Sequence, residues 1–156
     1  MAGALERFLE AAAVLGITPE VRVFPDGTRT AAEAAAAVGC DVGQIVKSLV
    51  FVADGEPLLA LTSGANRADL ARLRALAGVA EVRKADAEEA RAATGFAIGG
   101  TPPFGHPRRL RVLVDRDLLG YEVVWAAAGT PKSVFPIAPD DLLRASGGEP
   151  ANLRET

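Results

Sequence analysis

An Asp-Gly pair, Asp54–Gly55, stands between two long apolar runs, "IVKSLVFVA" and "PLLALTS", and it limits the fold more than any other feature of the chain. Asp-Gly between apolar runs is a strong hairpin signal, because both residues tolerate the positive φ that a tight two-residue turn needs. Side chains alternate along a strand, so Ile45, Lys47, Leu49 and Phe51 share one face, and Val46, Ser48, Val50 and Val52 the other. Both faces are mostly apolar, as in a central strand covered on each side. The rest of the chain must therefore supply two covering layers.

The sequence offers helices for that purpose. Apolar spacing predicts a first helix from about Ala2 to Leu15, with Leu5, Phe8, Leu9 and Ala12 on one stripe. "EVRVF" reads as a short strand ended by the turn at Pro25, Asp26 and Gly27. Thr30 with Glu33 forms a capping box for the helix "AAEAAAAVG", and Asp41 with Gln44 opens one short turn. Further helices are expected from about Arg67 to Ala77, with Leu70, Leu73 and Leu76 inward, and from Asp86 to Thr94. Strands are expected near Leu110–Val114, Tyr121–Ala128 and Ser133–Ile137, with Pro136 confining the last to an edge or an irregular end. Pro139 starts a final helix. Without strict βαβ alternation, the expected class is α+β: a mixed, largely antiparallel sheet or partly closed barrel with helices packed outside, one domain over residues 1–156.

Composition narrows the function. The 156 residues carry 49% hydrophobic and 24% charged side chains, a globular balance. No apolar run approaches the ~18 residues needed to cross a bilayer, so no membrane partner is expected. Glu6, Arg7 and Glu10 interrupt the N-terminal apolar pattern, which a secretory signal would keep uncharged. One cysteine, Cys40, and one histidine, His106, leave almost no ligands for a metal and none for an internal disulfide, pointing to a reducing compartment, the cytoplasm. A net charge of -3 argues against a surface that grips nucleic acid everywhere, while leaving room for a local basic patch.

Two features carry candidate chemistry. Lysine occurs only at positions 47, 84 and 132, and Lys47 sits among Ile45, Leu49 and Phe51, where an ammonium is costly unless it meets an anion or opens into a cleft. It either snorkels to water from the strand end or lines a pocket as a fixed cation. The stretch "GFAIGGTPPFGHPRR" is the second feature. Gly99 and Gly100 allow close backbone approach, while Pro102 and Pro103 fix the loop, which is either a rigid connector or a set of donors shaped for a carbonyl or carboxylate. His106 reads either as a general base or as a loop histidine bonding backbone carbonyls or RNA phosphate. Arg108, Arg109 and Arg111 are a solvated edge or a grip on phosphates.

"QIVKSLVF", "TGFAIGGTPPFGH" and "AAAGTPKSVFPIAPDDL", in that order, resemble the YbaK/ProX aminoacyl-tRNA deacylase family, which includes free-standing editing proteins and the editing domain of bacterial prolyl-tRNA synthetases. The resemblance implies hydrolysis of the ester joining a wrong amino acid to its tRNA, such as cysteine or alanine on the tRNA for proline, with no cofactor and no metal. It implies a mischarged aminoacyl-tRNA as partner, and an aminoacyl-tRNA synthetase as a second one. By position, Lys47 is the expected catalytic cation, and Gly99, Gly100 and Thr101 the expected backbone contacts. Pro103 would brace the loop, Gly129 and Thr130 would form the opposite wall, and Phe24 stands where some relatives place a tyrosine. His106 belongs to the expected pocket, and Arg108, Arg109 and Arg111 to the tRNA contact. A non-catalytic tRNA-binding module of the same fold and a small-molecule ester hydrolase remain as alternatives.

Overall fold

A computed structural model describes residues 3–28 and 30–156. The hairpin is its centre: β2 (Val46–Ala53) and β3 (Glu56–Ser63) pair antiparallel along their whole length, from Val46 opposite Ser63 to Ala53 opposite Glu56. Asp54 and Gly55 make the turn at φ 47° and 84°, the pair of positive angles that a two-residue hairpin demands. The Asp54 carboxylate also accepts hydrogen bonds from the amides of Ala80 (3.1 Å) and Glu81 (2.9 Å). That clamp brings in β4 (Val82–Lys84), which pairs with the far end of β2.

β5 (Arg111–Asp115) runs parallel to β3, and β8 (Glu149–Ala151) runs parallel to β5, giving a five-stranded sheet in the order β4-β2-β3-β5-β8. A second sheet has the order β1-β7-β6, from β1 (Arg22–Val23), β6 (Val124–Ala127) and β7 (Ser133–Ile137), all antiparallel. One parallel bridge, Ile45 to Trp125, joins the two sheets. The architecture is mixed α+β with largely antiparallel pairing, and the sheets do not close into a barrel.

Both faces of the hairpin are covered, as its alternation demands. Val46 and Val50 bury with Phe8 of α1 (Ala4–Val14), Ala90 and Ala93 of α4 (Ala87–Thr94) and Leu142 of α5 (Pro139–Ser146). On the opposite face, Phe51 and Leu58 bury with Leu73 of α3 (Leu70–Ala77). A third cluster, Ile45, Trp125 and Val134 with Ala34 and Ala35 of α2 (Ala31–Val38), fills the seam between the sheets.

Several expectations need correction. α3 starts at Leu70 because the Asp69 carboxylate caps the amides of Ala71 (2.8 Å) and Arg72 (3.3 Å). Leu70 then sits on the first turn facing solvent, while Leu73 is fully buried. The expected strand from Tyr121 is shorter, since Asp115 accepts from the Asp117 amide and opens a 3-10 turn over Arg116–Gly120 that ends at Tyr121. β7 is the middle strand of its sheet, yet Pro136 is tolerated because β1 overlaps only Ser133 and Val134. β4 and β8, three residues each, were too short to show as periodicity. The expected start of the first helix at Ala2 lies outside the described residues.

Candidate active site

The start of β2, the N-terminal approach to α2, the Gly/Pro loop and the three-stranded sheet enclose a cavity of about 300 Å³. Lys47, Gly99 and Thr101 all line it. Its floor comes from Ile45, Leu49 and Ser48, and its walls from Ala31, Ala34, Trp125, Ala127 and Val134. Lys47 is the one charged lining residue among the described ones. A volume near the low end of small-ligand sites, roughly 300–1,000 Å³, with one cation among apolar walls, suits a small acyl group better than a large or ionic one.

Lys47 is half-buried, and its Nζ donates to the main-chain carbonyl of Asn66 at 2.5 Å. Burial lowers its pKa from the ordinary lysine value; Arg67 and Lys84 push the same way, and the Asp115 carboxylate opposes them. An ammonium has three donors, so this bond leaves two for a ligand.

The loop is braced from behind. A Cβ at Gly100 would lie 2.8 Å from Thr130 Cα and 2.9 Å from the Gly129 carbonyl oxygen, so the two expected pocket walls meet backbone to backbone. The Gly100 amide donates to the Ala97 carbonyl (3.0 Å), and the Thr101 hydroxyl donates to the same oxygen (3.0 Å). Among the described residues, the amides of Gly99 and Thr101 have no protein acceptor. Pro103, within the loop, is buried. Phe24 packs behind the cavity wall against the Ile45–Trp125–Val134 cluster, and the Thr130 hydroxyl shares a 2.7 Å hydrogen bond with that of Ser133.

His106 and the arginines gather elsewhere. They line a second cleft of about 890 Å³, beside the C-terminal end of α1 and the end of α5, which shares no lining residue with the Lys47 cavity. His106 Nε2 bonds the Pro102 carbonyl at 2.8 Å, so that nitrogen carries the proton. Burial lowers the His106 pKa, with the Pro102 carbonyl opposing. Arg111 donates to the carbonyls of Ala77 (2.8 Å) and Leu76 (3.1 Å), which caps the C-terminus of α3. Arg108 and Arg109 are exposed. Cys40 packs by the seam cluster, and burial, with Asp41 beside it, pushes its thiol pKa up.

Sequence reasoning missed much of the wall. Thr30 was legible as a helix cap, and its hydroxyl does accept from the Glu33 amide (3.1 Å), but it also lines the cavity. Trp125, an aromatic residue in an apolar strand, is buried and lines the cavity as well. Neither double role leaves a periodic signal. Asn66 gave no signal, because it meets Lys47 through its main-chain carbonyl.

Fold and cavity together define a class: an α+β domain with a single-lysine acyl-sized pocket, roofed by a Gly/Pro loop. Residues 25–145 match the aminoacyl-tRNA editing domain, and the chain belongs to that family. It superposes on a protein provisionally described as a trans-editing enzyme for prolyl-tRNA synthetase with a TM-score of 0.94 and 47% identity, covering 100% of this chain and 99% of that one. It is 27% identical to the proline–tRNA ligase of Streptococcus equi over 97% of this chain and 24% of the ligase. The Nitratidesulfovibrio vulgaris ligase is 36% identical over 60% of this chain and 16% of that protein. The chain thus spans a quarter or less of these ligases.

Proposed function

We propose that the protein is a trans-acting deacylase that hydrolyses the ester of a mischarged aminoacyl-tRNA, such as alanine or cysteine on the tRNA for proline. The observation that carries this reading is the shared cavity: Lys47, Gly99 and Thr101 line one space of acyl size in a chain of the editing family. We read residues 1–156 as one such domain, working in the cytoplasm beside a synthetase. Among the described residues no helix is long and apolar enough to cross a membrane.

The chemistry asks little of a nucleophile, since an aminoacyl ester is already activated. Lys47 and the free amides of Gly99 and Thr101 hold the acyl carbonyl and stabilise the charge that grows on its oxygen. Gly100, with its amide engaged, contributes by seating the loop on Gly129 and Thr130; Pro103 braces it from within. Water, or a group of the substrate, adds to the acyl carbon. The C–O bond to the ribose breaks, the ribose oxygen leaves with a proton, and free amino acid is released. Phe24 supports the wall, and the cleft beside His106 takes the tRNA backbone through Arg108 and Arg109, while Arg111, at its edge, is engaged in capping α3.

A panel of mischarged tRNAs tests the proposal. Wild-type protein should release free alanine or cysteine, and Lys47→Ala should lose about 100-fold or more in kcat while melting at the same temperature. Full turnover by Lys47→Ala would remove the catalytic role, and binding of the tRNA without release would make the protein a non-catalytic module.

A further inference from the structure

Lys47 does not hold its position alone. Its Nζ bonds the carbonyl of Asn66, a residue of the short segment that follows β3. The Asn66 side-chain amide in turn donates to two carboxylates at once, Asp115 Oδ2 (2.8 Å) and Asp117 Oδ2 (2.8 Å). Asp115 is 1% exposed, at the end of β5, and its other bonds run to the Ser63 amide (3.0 Å) and the Asp117 amide (3.0 Å). Asp117 is held by Arg154 at 3.1 Å. The Asn66 amide nitrogen closes the turn on the Ser63 carbonyl (2.9 Å). Asn66 is thus tied by its own amide and its side chain, and beyond it the Arg67 carbonyl accepts from the Glu155 amide (2.8 Å), so the segment is held on both sides of the carbonyl that meets Lys47.

From this chain of bonds we infer that Asn66 and Asp115 are positioning residues for Lys47: the buried carboxylate locks the asparagine, and the asparagine carbonyl aims the ammonium into the cavity. The inference rests on the reading of Lys47 as the working cation, but it concerns side chains outside the cavity lining. A misplacement of about 1 Å at a reacting group can cost on the order of 100-fold in rate, so such a relay has consequences well beyond its own bonds. Electrostatics adds to geometry. The charged groups acting on Lys47 are Arg67 from the same segment, Lys84 from β4 and Asp115 from β5, and Asp115 alone favours the protonated form.

Two measurements on the full-length chain test it. Asn66→Ala and the isosteric Asn66→Asp, which faces two carboxylates with a third, should each lower kcat for deacylation by roughly 10- to 100-fold. Neither should lower the residual activity of Lys47→Ala any further, because a residue that works only through Lys47 has nothing left to position. The chain has three lysines, so 13C-labelled lysine side chains give few, assignable signals. In Asp115→Asn the Lys47 signal should titrate at lower pH than in wild type, since the one favourable charge is gone, and in Asn66→Ala its chemical shift should move. Should Asp115→Asn fail to fold, the Asn66 variants decide. Full activity of Asn66→Asp with an unmoved Lys47 signal overturns the inference, as does an Asn66 effect that persists unchanged in Lys47→Ala. A fully active Lys47→Ala would instead overturn the catalytic reading, and the lysine signals would still report whether Asn66 holds the ammonium.

Discussion

Gly100 shows how a single atom controls the loop. Any side chain there meets main-chain atoms of Gly129 and Thr130 at 2.8–2.9 Å, and backbone cannot swing aside as a side-chain tip can. Gly100→Ala should therefore cost about 1–3 kcal/mol, as overpacked sites do, read as a lowered denaturant midpoint, with deacylation falling as the roof lifts from its support. Gly99 has the opposite profile: a Cβ there meets only Pro131 at 3.9 Å, so its burden is the φ of 87° and not crowding. In the sequence the two glycines look alike. Lys47 was legible because an ammonium among aliphatic neighbours breaks the strand pattern, whereas Asn66 and Asp115 break no pattern at all.

Among the elements, α4 carries the most complete termination chemistry. Asp86 accepts from the Glu89 amide (2.8 Å), and the Glu89 carboxylate accepts from the Asp86 amide (3.0 Å), a reciprocal box that satisfies two orphan donors. Arg83 of β4 then grips both oxygens of Glu89, at 2.7 and 2.6 Å. The Arg83 hydrogen bonds, with the Asp86 amide next, hold the Glu89 pKa down at about 2. A carboxylate depressed in the folded state stabilises it above its ordinary value of 4.5, and that contribution is lost as pH falls through about 2. Glu89→Gln should accordingly flatten the fall of melting temperature with pH between those values, with little change in the slope above pH 6. Caps, hairpin and helix stripes were readable because each is a local rule written within a few residues. β4 and β8 were not, since a clamp from the distant Asp54 positions the first and pairing with β5 forms the second.

For the molecule as a whole, charge is distributed by task. The net charge is -3, yet Arg108 and Arg109 stand exposed beside a cleft with no carboxylate in ion-pair range among the described residues. If they hold the tRNA backbone, kcat/KM should fall steeply with salt, and Arg108→Ala or Arg109→Ala should each reduce that logarithmic slope by about 1. Arg111→Ala should act differently, lowering stability through the uncapped end of α3 with the salt slope nearly intact. The cavity's full lining could not be read from the chain, because it is assembled at a junction of two sheets that long-range packing and the Ile45–Trp125 bridge bring together. That junction divides labour across the molecule. The ammonium rides on one sheet, whereas Ala127 and Val134 belong to the other and Ala31 and Ala34 to a helix beside it. If the proposed reading holds, enlarging the partly buried Ala31 or Ala127 should narrow the aperture while Lys47, on the five-stranded sheet, stays in place, so the choice of acyl group could change without the cation.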